Sequence, residues 1–222
     1  MRTYQELDTR QKRLVKLCRE CGPADKTMLD IVAQSTYHDG GVTTALRSEE
    51  AASAKALKYP AVALIDCNEL SLYAGLQSCA RRFAVKGGSY QTLIYNLCAA
   101  LSELNSSTKR PVCIVVDHVG KVSCERLGTL YRAADEARYR LGLSVRIVFI
   151  STQAWLYDRE AGGKIWKFPE RNELIAGRAR MWNYNKKELK FLRPAEEFVP
   201  VTEATPLLDE VPAAEVARAV AS

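Results

Sequence analysis

The stretch "MLDIVAQSTYHDGGVTTALRSEE", residues 28–50, decides how the rest of the chain is read. "MLDIVA" (28–33) is apolar almost throughout instead of alternating, the pattern of a strand covered on both faces. It runs into Gly40-Gly41, then Val42, Thr43, Thr44 and a helix-length segment over 42–57. A buried strand, a glycine turn and a helix form the opening unit of a parallel α/β sheet.

The same unit recurs along the chain. "AVALIDC" (61–67), "VCIVVD" (112–117) and "VRIVFIS" (145–151) are further buried-strand candidates, separated by helix-length segments at 69–84, 89–106 and 123–141. Strands alternating with helices predict a parallel sheet with right-handed crossovers. In 89–106, Leu93, Ile94, Leu97 and Leu101 recur at helical spacing, and Ser89 after two glycines is the expected N-cap. "KIWKF" (164–168), stopped by Pro169, reads as a fifth strand. Beyond it the periodicity weakens, and Pro194, Pro200, Pro206 and Pro212 recur among acids and alanines in a tail expected to be flexible, with a short helix at 212–221.

With 222 residues and 47% apolar content, the chain is long enough to bury a sizeable core. No apolar run reaches membrane-spanning length, and "MRTYQELDTRQKRLVKLCRE" is too charged for a signal peptide, so a soluble intracellular protein is expected, with no membrane partner. Seven scattered cysteines fit a reducing compartment. Cys18 and Cys21 have metal-ligand spacing, but the next cysteine is Cys67, so no metal site is expected. Residues 194–222 hold six acids against Arg218 alone, a net of −5; since the whole chain carries +6, residues 1–193 carry +11. A basic body with an acidic tail is compatible with a polyanionic partner.

The glycine turn invites comparison with the phosphate-binding pattern G-x-x-x-x-G-K-[ST], whose lysine reaches the β/γ-phosphates and whose hydroxyl meets Mg²⁺. With Gly41 as the second glycine, Thr36 stands at the first, Val42 replaces the lysine and Thr43 keeps the hydroxyl. In "CIVVDHVGKV" the strand closes on Asp117, the residue type that holds Mg²⁺, but His118 follows where a water-orienting glutamate is common. Ser151, Thr152 and Gln153 close the next strand; they are candidates for a γ-phosphate contact or, for Ser151 and Thr152, caps of a turn starting near Ala154.

In this order of parts residues 8–177 resemble the AAA+ ATPases of replication initiation, and within them the subunit 5 family of the origin recognition complex. The residues carrying the resemblance are "DTRQKRLVKLC", "TYHDGGVTT", "ALIDCNEL", "CIVVDHVGKV" and "VRIVFISTQAWLYDREAGGKIWKFPERNEL", with Ser151, Trp155 and Phe168-Pro169 at matching places in the last. The resemblance implies a three-layer AAA+ (P-loop NTPase-like) parallel sheet flanked by helices, with the Asp117 strand beside the glycine-loop strand. The helical lid is expected to be reduced or missing, since too few helical residues follow Pro169. The implied organisation is an AAA+-like domain over 1–177, a basic and aromatic extension or lid remnant over 178–193, and the tail over 194–222.

The implied function is that of a noncatalytic, nuclear subunit of an origin-binding complex, contacting other AAA+ subunits and double-stranded DNA. Its nucleotide site would be vestigial, built from Gly40, Gly41, Val42, Thr43, Thr44, Asp117, His118 and Ser151, with His38 and His118 as neighbours in it and no cofactor bound. Arg138, Arg140 and Arg146, around the end of the helix preceding the fourth strand, are candidates to complete a neighbour's nucleotide site. Alternatives are an inactive clamp-loader-like subunit or an enzyme binding ATP and Mg²⁺ through Thr43, Thr44 and Asp117, with Lys26 or Arg47 in place of the lysine. A third is a stand-alone nucleic-acid module in which Arg178, Arg180, Lys186, Lys187, Lys190 and Arg193 interleave with Trp182, Tyr184 and Phe191.

Overall fold

The computed structural model describes residues 4–20, 22, 24–34, 41–54, 60–68, 71–104, 109–152, 179–184 and 190–192. Within them five α-helices and six strands follow in the order α1 (Thr9–Arg19), β1 (Met28–Gln34), α2 (Val42–Ser53), β2 (Ala61–Asp66), α3 (Leu72–Arg82), α4 (Tyr90–Glu103), β3 (Val112–Asp117), α5 (Cys124–Leu141), β4 (Val145–Thr152), β5 (Ala179–Asn183) and β6 (Lys190–Leu192). The first four strands coincide with the apolar runs, and Ser89 caps α4 by accepting from the Thr92 N–H. Ser71 and Ser123 do the same for α3 and α5, and Gly142, in the left-handed conformation, ends α5. Asp8 and Gln11 form a reciprocal capping box at α1. No helix among the described residues is long and apolar enough to cross a membrane.

The strands form one sheet in the order β2-β3-β4-β1-β5-β6, parallel except for the antiparallel β5–β6 pair. One face packs on α3, α4 and α5 through Ile31, Ile65, Ile114, Phe149 and their neighbours; the other packs on α1 and α2 through Val32, Leu64, Val115, Val148 and Ile150. This is a three-layer α/β/α arrangement.

Two expectations require correction. β3 does not lie beside β1, because β4 separates them. Periodicity identifies strands without ordering them; here order is tied to buried charge. Asp30 of β1 is fully buried and lies between Arg146 of β4, at 3.4 Å, and Arg180 of β5, which grips it at 2.8 and 3.2 Å. The Trp182 indole N–H adds a third donor at 2.8 Å. The sheet also continues past residue 177: the segment expected to be a separate extension supplies β5, an interior strand, and β6. "KIWKF", Trp155, Phe168-Pro169 and the tail lie outside the described residues.

β2 forms one edge of the sheet, and side chains occupy its outward backbone groups. Ser53 Oγ accepts from the Val62 N–H at 3.1 Å, and Glu50 Oε1 from the Leu64 N–H at 2.8 Å. Arg82 donates to the Leu64 carbonyl and pairs with Glu50 at 3.1 Å.

Candidate functional site

The chain leaves β1 toward α2 on one face of the sheet and leaves β3 toward α5 on the other. Both connections leave from the carboxyl ends of the parallel strands, the end of the sheet at which α/β proteins bind ligands. Gly41 turns the chain into α2 with φ +56°, and Gln11 of α1 donates to its carbonyl at 3.2 Å. A Cβ on Gly41 would approach the Gln11 amide nitrogen to 2.7 Å, so glycine serves both backbone and space.

From this turn α2 crosses the sheet. Thr43 Oγ1 donates to Asp117 Oδ2 at 2.6 Å, joining the glycine turn to the end of β3 across β4. One turn on, Arg47 pairs with Asp66 at the end of β2, at 2.9 Å. His118 bridges the two carboxylates: its backbone N–H donates to Asp117 Oδ1 at 2.8 Å, and its ring Nδ1 lies 3.1 Å from Asp66 and 3.6 Å from Asp117. His118 holds a left-handed backbone, φ +59°, a conformation more common for histidine than for most non-glycine residues.

Asp117 is fully buried, and desolvation raises its carboxyl above the ordinary aspartate range; the Thr43 hydrogen bond, the His118 charge and the His118 N–H oppose that rise. Cys67, beside them, donates its backbone N–H to the Asp117 carbonyl. Burial, with Asp66 and Asp117 nearby, pushes its thiol up to about 12, so it stays protonated at neutral pH and is no nucleophile.

Val42, at the position a phosphate-binding lysine would occupy, is 4% exposed and packs in the core with Leu14, Leu17 and Leu46. Thr44 is exposed on the first turn of α2. Ser151 sits inside β4, opposite Ala33, with its buried hydroxyl lacking a partner among the described residues; the turn near Ala154 that it or Thr152 was expected to cap lies outside them. Gln34 Oε1 and the Tyr184 hydroxyl, at the same end of the sheet, are likewise buried without partners among those residues. Gly40 and His38 lie outside the described residues, and with them the expected proximity of the two histidines.

Neither cation offered in place of the lysine is free to act so. Arg47 is engaged by Asp66. Lys26 precedes β1, whose seven residues span roughly 23 Å, and so stands at the opposite end of the sheet.

The arginine candidates separate. Arg146, expected to reach a neighbouring subunit, is 3% exposed, donating to the Leu17 carbonyl at 2.6 Å and pairing with Asp30: it is an interior cation. Arg138 is tied to Asp135 at 2.9 Å and to the Ala24 carbonyl at 2.7 Å. Only Arg140 of the three is well exposed, pairing with Glu136 one turn back. Of the expected DNA-contacting cations, Arg180 is committed to Asp30, while Arg178, Lys186 and Lys187 lie outside the described residues; Lys190 begins β6. No group of metal-ligating side chains occurs among the described residues, and Cys18 is fully buried against Cys113, its thiol held protonated.

Sequence reasoning passed over Asp66. "ALIDC" has the form of "IVVDH", an apolar run closed by an aspartate, and that signal was available at 61–67.

No family model matches the chain, and no curated protein matches it. Among solved structures, it is similar to a chain in the structure of Drosophila ORC bound to DNA, with a TM-score of 0.39 and 17% identity over 67% of this chain. The similarity spans 38% of that chain.

Proposed function

We propose that the protein is a noncatalytic AAA+-like subunit of an origin-binding assembly, a rigid α/β module contacting other AAA+ subunits and DNA. The observation that carries its noncatalytic character is the Thr43–Asp117 hydrogen bond beside a core-buried Val42. The hydroxyl and carboxylate that would share a metal ion hold each other, and the position expected to supply a phosphate-binding cation instead supplies a core side chain. Each lost charge-assisted contact to phosphate removes about 1.5–3 kcal/mol, tenfold or more in affinity. The assembly role rests on the resemblance carried by the sequence segments from "DTRQKRLVKLC" to "KIWKFPERNEL" and the order in which they follow one another.

Two measurements test this reading. Calorimetry of the full chain with ATP and Mg²⁺ at millimolar concentration should give no binding heat; a micromolar isotherm overturns the vestigial site. Tagged protein recovered from nuclear extract should bring down AAA+ subunits of an origin-binding complex, and recovery without any of them overturns the assembly role. Arg140→Ala should then lower ATP turnover in the reconstituted complex while leaving the fold of this chain intact.

A further inference from the structure

α1 carries Arg10, Lys12, Arg13, Lys16 and Arg19 and no carboxylate. The two outer arginines are engaged: Arg10 pairs with Asp8 at 3.3 Å, and Arg19 grips the buried Glu49 at 2.7 and 2.8 Å. The three inner cations turn outward. Arg13 and Lys16 are exposed and Lys12 half-buried, and neither lysine has an ion-pair partner among the described residues. Lys12 and Lys16 stand one turn apart, about 6 Å along the helix axis, with Arg13 alongside.

Next to this face lies a groove of about 320 Å³ between α1 and β5, lined by Arg13, Lys16, Leu17, Glu20 and Trp182. Its acid, Glu20, lies 3.6 Å from Arg146 and is partly neutralised. Trp182 is half-buried and anchored through its N–H to Asp30, with the Arg180 guanidinium 5.6 Å from its ring, so the indole is presented in a fixed orientation. Helix cations beside a fixed aromatic side chain combine the two elements of single-strand recognition, charge along the backbone and a surface for stacking a base.

We propose that the outer face of α1 and the groove beside Trp182 bind single-stranded nucleic acid, with Lys12, Arg13 and Lys16 meeting phosphates and Trp182 meeting a base. This surface is distinct from the strand-end cluster of Thr43, Asp66, Asp117 and His118, and it does not rest on the assembly reading.

Fluorescence anisotropy of a labelled dT20 strand with the full-length protein, across a salt series, tests it. Three phosphate contacts give a slope of log K against log salt of about −2 for a single strand, and the triple variant Lys12→Ala, Arg13→Ala, Lys16→Ala should lose most of that slope and roughly tenfold or more in affinity at 0.1 M salt. Lys16→Gln alone should reduce the slope by about 0.7, a readout independent of whether the triple variant folds. Trp182→Phe should bind nearly as well as the parent, and Trp182→Leu, checked by its melting curve, should bind less tightly. Arg81→Ala with Lys86→Ala, on the opposite face of the sheet, should leave the slope unchanged. The proposal is overturned if the parent fails to bind dT20 at 50 mM salt, if the slope survives Lys16→Gln and the triple variant, or if the opposite-face pair reduces it equally. Equal affinity for a 20-base-pair duplex, together with undiminished binding by Trp182→Leu, overturns the stacking role.

Discussion

Replacing Asp30 by leucine should unsettle the centre of the sheet. Asp30 is fully buried and accepts from Arg180 and Trp182 while facing Arg146, which is itself 3% exposed. Without the aspartate, Arg146 keeps its bond to the Leu17 carbonyl but loses its buried counter-ion, leaving only the half-exposed Glu20 at 3.6 Å. Stranding a buried charge costs about 3–5 kcal/mol. For a chain of this length that is a fall in Tm of roughly 6–20 °C. Arg146→Met should cost about 2–3 kcal/mol, near the lower end, because Asp30 retains two donors. The double variant should be more stable than the sum of the single effects predicts, by about 2 kcal/mol, since an apolar pair replaces an interior ion pair. Urea denaturation of the four proteins, followed by circular dichroism, closes the cycle. A coupling energy below roughly 0.5 kcal/mol, the level expected of distant independent sites, would refute the argument that this pair ties β4 to β1.

Gly41→Ala should destabilise the protein by about 1–2 kcal/mol, through the left-handed backbone and the displacement of Gln11, measured as a shift in denaturation midpoint. Asp117→Asn tests the buried carboxyl. A carboxyl whose pKa is raised on folding contributes stability below its unfolded pKa and loses it as pH rises through the folded value, so the stability of Asp117→Asn relative to the parent should improve as pH rises from about 4 toward 7. A difference that is flat with pH, or opposite in sign, in denaturation at pH 4, 5.5 and 7 would mean that folding does not raise this carboxyl. Thr43→Val, which removes the hydroxyl from Asp117, should cost about 1–3 kcal/mol at neutral pH in the same assay, and a smaller effect would mean that the bond contributes little to the site.

The four buried strands and the helices between them were legible because each is written locally. An apolar run bounded by turn residues, or a serine before a helical repeat, holds its meaning wherever it sits in the fold. Thr43 and Asp117 were legible as members of one site through the phosphate-loop pattern, Thr43 after the glycine turn and Asp117 at the end of an apolar run, though not as each other's hydrogen-bond partners. β5 was not: "ARMWN" is short and mixes a charge and an amide with its apolar residues, and its inward side chains include Arg180, which reads as surface until Asp30 is found opposite it. Strand order was illegible for the same reason, because Asp30 is separated from Arg146 and Arg180 by more than a hundred residues of chain and only the folded sheet brings them together. Arg146 shows the general hazard: a cation near the end of a helix reads as outward-facing, although its position within "VRIVFIS" already places it on a buried strand.

The side chains along β2 bear on how the protein behaves in crowded solution. A sheet edge with vacant N–H and C=O groups is a template on which another strand can add, and repeated addition leads to fibrils. Here the template is filled by Ser53, Glu50 and Arg82, so an incoming strand would first have to expel a carboxylate and a guanidinium already bonded to the backbone and to each other. At these positions the edge is thereby non-adhesive. Its protection is a matter of side-chain packing: replacing Glu50 by alanine would loosen Arg82 as well, and this side of the sheet would become the place where self-association begins.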